Sequence, residues 1–150
     1  MFDTNIKISL TSTFNSVPPI INWRLNSNDW QTVKIKDNFE ISVCQKLPAG
    51  VHKIEINYNS KTDDDLLSAV IIEKVSVENI STVSVSQGTY YPIFPEPWAS
   101  EQRSTGIDLF ETYKTSTHLG WNGSWEFIFD VPTFSWIHKV ENLGDIYPLT

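Results

Sequence analysis

Cysteine is nearly absent from this sequence: Cys44 stands alone in 150 residues. No intrachain disulfide can form, and nothing in the cysteine usage marks adaptation to an oxidising compartment. Long hydrophobic runs are absent too, and none approaches the roughly 20 apolar residues that a membrane-spanning helix needs. The opening Met1-Phe2-Asp3-Thr4-Asn5 has no basic n-region and no apolar stretch follows it. No Sec signal peptide is therefore expected, and the chain is expected to be made and folded in a cytoplasm. Positive charge is scarce: 11 basic residues face 18 acidic ones, a formal net charge of −7. Nucleic acid and anionic membranes are not expected partners, because affinity for both comes mainly from basic patches.

Motifs that carry chemistry are missing as well. There is no Gly-x-Ser-x-Gly elbow and no glycine-rich phosphate loop. His52, His118 and His138 show no close ligand pairing of the kind zinc sites use. Cys44 has only Lys46 as a basic neighbour, where a nucleophile needs a positioned base. Glu96, Glu101, Asp108, Glu111, Glu126 and Asp130 are carboxylates of the type glycosidases employ. That chemistry needs two of them facing each other across roughly 5–10 Å. Asp63-Asp64-Asp65, flanked by Asn57 and Asn59, offers oxygens of the kind Ca²⁺ takes. Its spacing matches no EF-hand loop, and it reads as a solvated acidic loop. No enzymatic activity, cofactor or metal is expected.

What is present is β pattern and aromatic rings. Ile6, Ile8 and Leu10 alternate with polar residues, as do Ile21, Trp23 and Leu25, then Val33 and Ile35, then Phe39, Ile41 and Val43, then Ile54, Ile56 and Tyr58. This period of two is the signature of half-buried antiparallel strands. Turn-forming stretches separate the runs, among them Val17-Pro18-Pro19, Asn26-Ser27-Asn28-Asp29 and Leu47-Pro48-Ala49-Gly50. In Ala69 to Val77 the apolar residues switch parity, which predicts a bulge or a strand covered on both faces. Ile80, Val83 and Val85 extend the pattern.

Thirteen of the nineteen aromatic residues follow residue 86. Three prolines break the segment Tyr90 to Trp98, so it predicts an extended path without ladder donors at those positions. Asn122-Gly123 suits the two positive-φ positions of a type I′ turn. It predicts a hairpin over 119–129 that pairs Trp121 with Ser124 and Leu119 with Glu126, and puts Trp125, Phe127 and Phe129 on one face. Phe134 to Asn142 reads either as a short helix stopped by Gly144 or as another strand.

The whole is read as one mostly β domain over 1–150. It is an antiparallel β-sandwich or jelly-roll in 1–86, wrapped by an aromatic, proline-rich segment in 87–150. Tyr90, Tyr91, Trp98, Trp121 and Trp125 are the candidate ligand-binding residues. Exposed flat rings stack on pyranose C–H faces, while indole N–H and phenol O–H groups supply polar handles. The reading placed ahead of this is that they fill the core or a subunit interface, since most tryptophans are largely buried.

Two resemblances add to this. The motif Leu119-Gly120-Trp121-Asn122-Gly123-x-Trp125-x-x-x-Phe129, with Tyr90-Tyr91-Pro92-x-x-Pro95-x-Pro97-Trp98, resembles a group of small proteins of marine tailed phages of the cyanophage type. Pro48 to Ile56, with its Gly50-x-His52 element, and the run Ile71 to Ile80 resemble β-sandwich carbohydrate-binding modules. The first implies a phage-encoded structural or accessory protein, made in a host cytoplasm and destined for the virion or an accessory role. The second implies glycan binding. The sequence therefore predicts a non-enzymatic interaction module whose partner is another protein or its own copies. A carbohydrate-binding module is the alternative, and a small glycoside hydrolase the distant one.

The second half has too few aliphatic alternations to close two layers alone, and an isolated hairpin is marginal in water. Fragments 1–86 and 87–150, expressed separately, are expected to show no cooperative melting by circular dichroism. Two independent cooperative transitions would overturn the single-core reading.

Overall fold

The computed structural model describes residues 1–62, 64–81, 88–114 and 116–141. Asp63, Val83, Val85, Asn142 and Gly144, named above, lie outside them. In chain order the elements are β1 (Phe2–Thr13), β2 (Ile20–Leu25), β3 (Gln31–Lys34), β4 (Phe39–Leu47), β5 (Gly50–Tyr58), β6 (Ala69–Val77), β7 (Ile80–Ser81), β8 (Gly88–Pro92), α1 (Trp98–Ser104), β9 (Tyr113–Lys114), β10 (His118–Leu119), β11 (Gly123–Val131) and α2 (Thr133–Val140).

The strands form two antiparallel sheets. One runs β10-β6-β1-β4 with β7 also paired to β6, and the other runs β3-β2-β5-β11-β8-β9. The alternating residues behave as the pattern requires. Ile6, Ile8, Leu10, Ile41 and Val43 of the first sheet face Ile21, Ile54, Ile56 and Tyr58 of the second in one buried core. The parity switch in β6 is a bulge: Ser9 pairs with Lys74 and Leu10 with Ile72, so Glu73 is left over and exposed. The reversal at Pro48–Gly50 does not close a hairpin. It carries the chain from β4, an edge of one sheet, to β5 inside the other.

The hairpin expected at 119–129 is absent. Leu119 pairs with Val70 in the first sheet, whereas Ser124 pairs with Asn57 and Tyr91 in the second. Asn122-Gly123 is thus a crossing between sheets. A pair of left-handed residues does occur, at Glu78 (φ 53°) and Asn79 (φ 64°), in the two-residue turn between β6 and β7. The Glu78 carboxylate is anchored there by the Asn5 N–H and the Thr133 hydroxyl. Gly123 does take the expected positive φ, 155°, although no type I′ turn forms there. A Cβ there would lie 2.3 Å from the Tyr91 carbonyl oxygen of the adjacent strand.

Trp125, Phe127 and Phe129 do share one face of β11, and all three are buried. Their rings stack in sequence, with centroids 6.3 and 5.9 Å apart. Residues 134–140 are helical: α2 follows Pro132 and packs Ile137 and Trp136 on the core, Trp136 meeting Phe127 edge-on at 5.9 Å. The second half therefore does more than lie over the first. It inserts β11 between β5 and β8 and adds β10 to the opposite sheet.

The Trp125 indole lies across the backbone of β8 at Gly88, where an added Cβ would fall 2.1 Å from the ring. The indole is also tied down, its N–H donating to the Ser116 carbonyl at 3.2 Å. Gly88→Ala is expected to destabilise the protein by about 1–3 kcal/mol, the usual cost of overpacking a rigid core. Urea unfolding followed by tryptophan fluorescence measures this, and an unchanged midpoint would refute the packing account.

Candidate functional site

The crossing from β10 to β11 builds a cleft at one end of the sandwich. Tyr90, on β8, is buried beneath it. Its hydroxyl donates to the Trp121 carbonyl and accepts the Trp121 N–H at 3.0 Å, so one side chain satisfies both main-chain groups of residue 121. Burial raises the Tyr90 phenol well above the ordinary tyrosine range, the hydrogen bond to Trp121 opposing it and the neighbouring Tyr58 adding to it. The hydroxyl stays protonated as a donor at every physiological pH.

Asn122 performs the companion task. Its Oδ1 accepts the Lys61 N–H at 2.8 Å and its Nδ2 donates to the Lys61 carbonyl at 3.0 Å. The amide thus pairs with the polar loop 59–68 as a strand neighbour would. The Lys61 ammonium then reaches inward. It donates to the carbonyls of Leu66 and Ser68 at 3.0 Å each and of Gly120 at 2.5 Å, and lies 4.6 Å from the centroid of Trp121. Desolvation holds it below the ordinary lysine range, with the field of Asp65 opposing the shift.

The facing wall comes from the proline-broken segment. Pro92 ends β8, and the chain runs out through Phe94 to α1, whose Ala99 is buried and whose first residue is Trp98. Trp98 and Trp121 meet with centroids 4.7 Å apart. Phe94 touches both, at 6.0 and 6.3 Å, and meets Tyr113 of β9 edge-on at 6.4 Å. Together these rings, Lys61, His118 and the apolar side chains Leu66, Leu67 and Leu109 enclose about 580 Å³. This is within the roughly 300–1,000 Å³ of small-ligand pockets. Among the described residues, no Asp or Glu lines it.

Of the five residues singled out in the sequence, the cleft collects three: Trp98 and Trp121 as half-buried walls and Tyr90 as the floor. Tyr91 points the other way, onto the outer face of the second sheet beside Asn57 and Ser124. Trp125 is a core residue with no exposed surface. Both departures follow from strand alternation: Tyr91 is one residue off the inward parity of Tyr90, and Trp125 has it. Lys61, Phe94 and Tyr113 were not singled out. Lys61 sits in a loop with no periodic signal, and only pairing across 61 residues with Asn122 brings it to the site.

The remaining polar candidates are structural. His52 is buried on Phe129, with ring nitrogens bonded to the Asn26 side chain at 2.9 Å and the Pro48 carbonyl at 2.8 Å. His138 bonds the Phe134 carbonyl of its own helix, and Cys44 is exposed on β4. None of the six carboxylates named above lines the cleft. Asp65 corrects the expectation of a solvated acidic loop. It is buried, and its Oδ2 accepts the N–H groups of Asn15 at 2.8 Å and Ser16 at 3.1 Å.

No family model matches the chain, and no curated protein matches its sequence. Two solved structures share the fold. One is "vCBM60 in complex with galactobiose", with a TM-score of 0.51 and 10% identity over 82% of this chain and 96% of that one. The other is the selenomethionine form of vCBM60, with a TM-score of 0.52 and 10% identity over 83% and 89%. It is described with a circular permutation that links two families of calcium-dependent carbohydrate-binding modules. The architecture is thus a β-sandwich of the same fold as vCBM60. The resemblance of the middle third to such modules holds at the level of fold, and the comparisons offer nothing for the phage group. Calcium takes six to eight oxygen ligands. Among the described residues, no group of three or more His, Cys, Asp and Glu side chains converges on one position.

The hydrogen bonds from Ser16 and then Asn15 hold the Asp65 carboxyl below its ordinary range. Such a group stabilises the fold above its unfolded pKa of about 3.9. The contribution is lost as pH falls through the lower folded value. Asp65→Asn is expected to lower Tm at neutral pH and to flatten the fall in Tm below about pH 4. Parallel Tm–pH curves for variant and parent would show that Asp65 does not anchor the loop.

Proposed function

We propose that the protein is a non-catalytic glycan-binding module and that the cleft bordered by Trp98 and Trp121 is where a sugar ring sits. One observation carries this reading: four aromatic side chains, Phe94 before α1, Trp98 on it, Tyr113 on β9 and Trp121 after β10, line a single concave site of about 580 Å³. A pyranose presents C–H faces that stack on such rings and hydroxyls that take up polar contacts. His118 and Ser116 on the lining supply polar atoms. The fold supports the reading, since vCBM60 in its complex holds galactobiose. No step is assigned to a metal.

A second reading is favoured by the rim. Leu66 and Leu67 border the cleft and are 68% and 61% exposed. Apolar side chains presented together at a surface are also what a protein partner or a second copy of the chain would cover.

Titration of the protein with neutral oligosaccharides, followed by tryptophan fluorescence, tests the first reading. Trp98→Ala and Trp121→Ala are each expected to weaken binding about tenfold or more, a loss of about 1.4 kcal/mol. Trp30→Ala, at a ring that packs under Arg24 and does not line the cleft, is the control and should bind as the parent does. Equal losses in all three, or no binding to any glycan together with concentration-dependent light scattering, would shift the assignment to the protein-partner reading.

A further inference from the structure

We infer that the cleft selects glycans bearing an anionic substituent, a carboxylate or a sulfate, with the Lys61 ammonium as its built-in cation. The inference deepens the glycan-binding reading and rests on it.

The first observation is how the ammonium is held. Its three N–H donors go to three main-chain carbonyls, those of Leu66, Ser68 and Gly120, and its open side lies against the Trp121 ring. Carbonyls and an indole carry no net charge. They fix the position of the ammonium without neutralising it. Three oxygens converging on one point make the kind of cage that would suit a small cation, and a tethered side chain occupies it.

The second observation is what does not face it. Among the described residues, the ion pairs engage Arg24, Lys53 and Arg103, and none engages Lys61. Asp65, whose field reaches Lys61, directs Oδ2 at the Asn15 and Ser16 N–H groups instead. The third observation is the contrast with the whole protein. In a chain of net charge −7, the described residues that line this cleft include a lysine, a histidine and no acid. A sugar stacked on Trp98 or Trp121 would bring its substituents within the field of a cation partly withdrawn from water. There, a unit charge interacts more strongly than it does in bulk solvent. The ammonium's own protons are committed, so the attraction acts through space and responds to salt.

The experiment compares a neutral oligosaccharide with its uronate and its sulfated counterparts of the same linkage, by calorimetry on the full chain. At low salt, at least one anionic form is expected to bind about tenfold tighter than the neutral one. Whether that form is the uronate or the sulfate tells which substituent is recognised. The preference is expected to shrink severalfold at about 0.5 M salt, where charges are screened beyond roughly 4 Å. This arm needs no variant. Lys61→Met is expected to bring the ratio of anionic to neutral affinity close to one, and Lys61→Arg to restore part of it. Neutral binding at equal or greater strength than both anionic forms would overturn the inference while leaving the glycan reading intact. No binding of any of the three would remove both. A preference unchanged in Lys61→Met, in protein that melts cooperatively, would show that the cation lies elsewhere and would also overturn it.

Discussion

The hydroxyl of Tyr90 holds the crossing from β10 to β11, one of the points at which the chain passes between sheets. β10 ends in the first sheet at Leu119 and β11 begins in the second at Gly123, so the intervening main chain leaves both ladders. Main-chain groups withdrawn from a ladder need other partners. Tyr90 supplies them for Trp121, and the Asn122 carbonyl takes the N–H of Ile93 at 2.7 Å. Everything at that end of the molecule follows from this. Trp121 stands at a fixed angle, Asn122 is aimed at the backbone of Lys61, and Gly123 lets β11 press against β8.

The cleft is therefore a by-product of sheet topology, stiffened by polar bonds that have nothing to do with a ligand. Its aromatic lining is anchored from below. The Trp125 indole fills the space left by Gly88 and bonds the carbonyl of Ser116, a residue on the cleft lining. Rings supported in this way lose little freedom when a flat ligand settles on them, which is the condition under which stacking gives net affinity. The acid-poor lining is a matter of distribution. The outer face of the second sheet pairs its charges among themselves, with Lys53 bridging Glu55 and Glu126 at 3.3 and 3.5 Å and Arg24 also on Glu55. Asp65 is turned towards a loop backbone. Lys61 is left with carbonyls and an indole.

Alternation, a local property, determined much of this protein from the sequence alone. Ile6-x-Ile8-x-Leu10 and Ile54-x-Ile56-x-Tyr58 could bury one face only as strands, and the parity switch in Ala69 to Val77 could be accommodated only by a bulge or double coverage. The common face of Trp125, Phe127 and Phe129 followed from the same rule. Tertiary structure decided what pairing at long range controls. Asn122-Gly123 has the local chemistry of a hairpin, but a two-residue turn is stable only if the strands it joins prefer each other. Here Leu119 gains more beside Val70, and Ser124 more between Asn57 and Tyr91, than either would from its neighbour in sequence. That choice separated Trp121 from Trp125, sent one into the cleft and the other into the core, and brought in Lys61, a loop residue whose role no periodicity could show, because Gly120, Trp121 and Asn122, which seat it in the cleft, lie about sixty residues away.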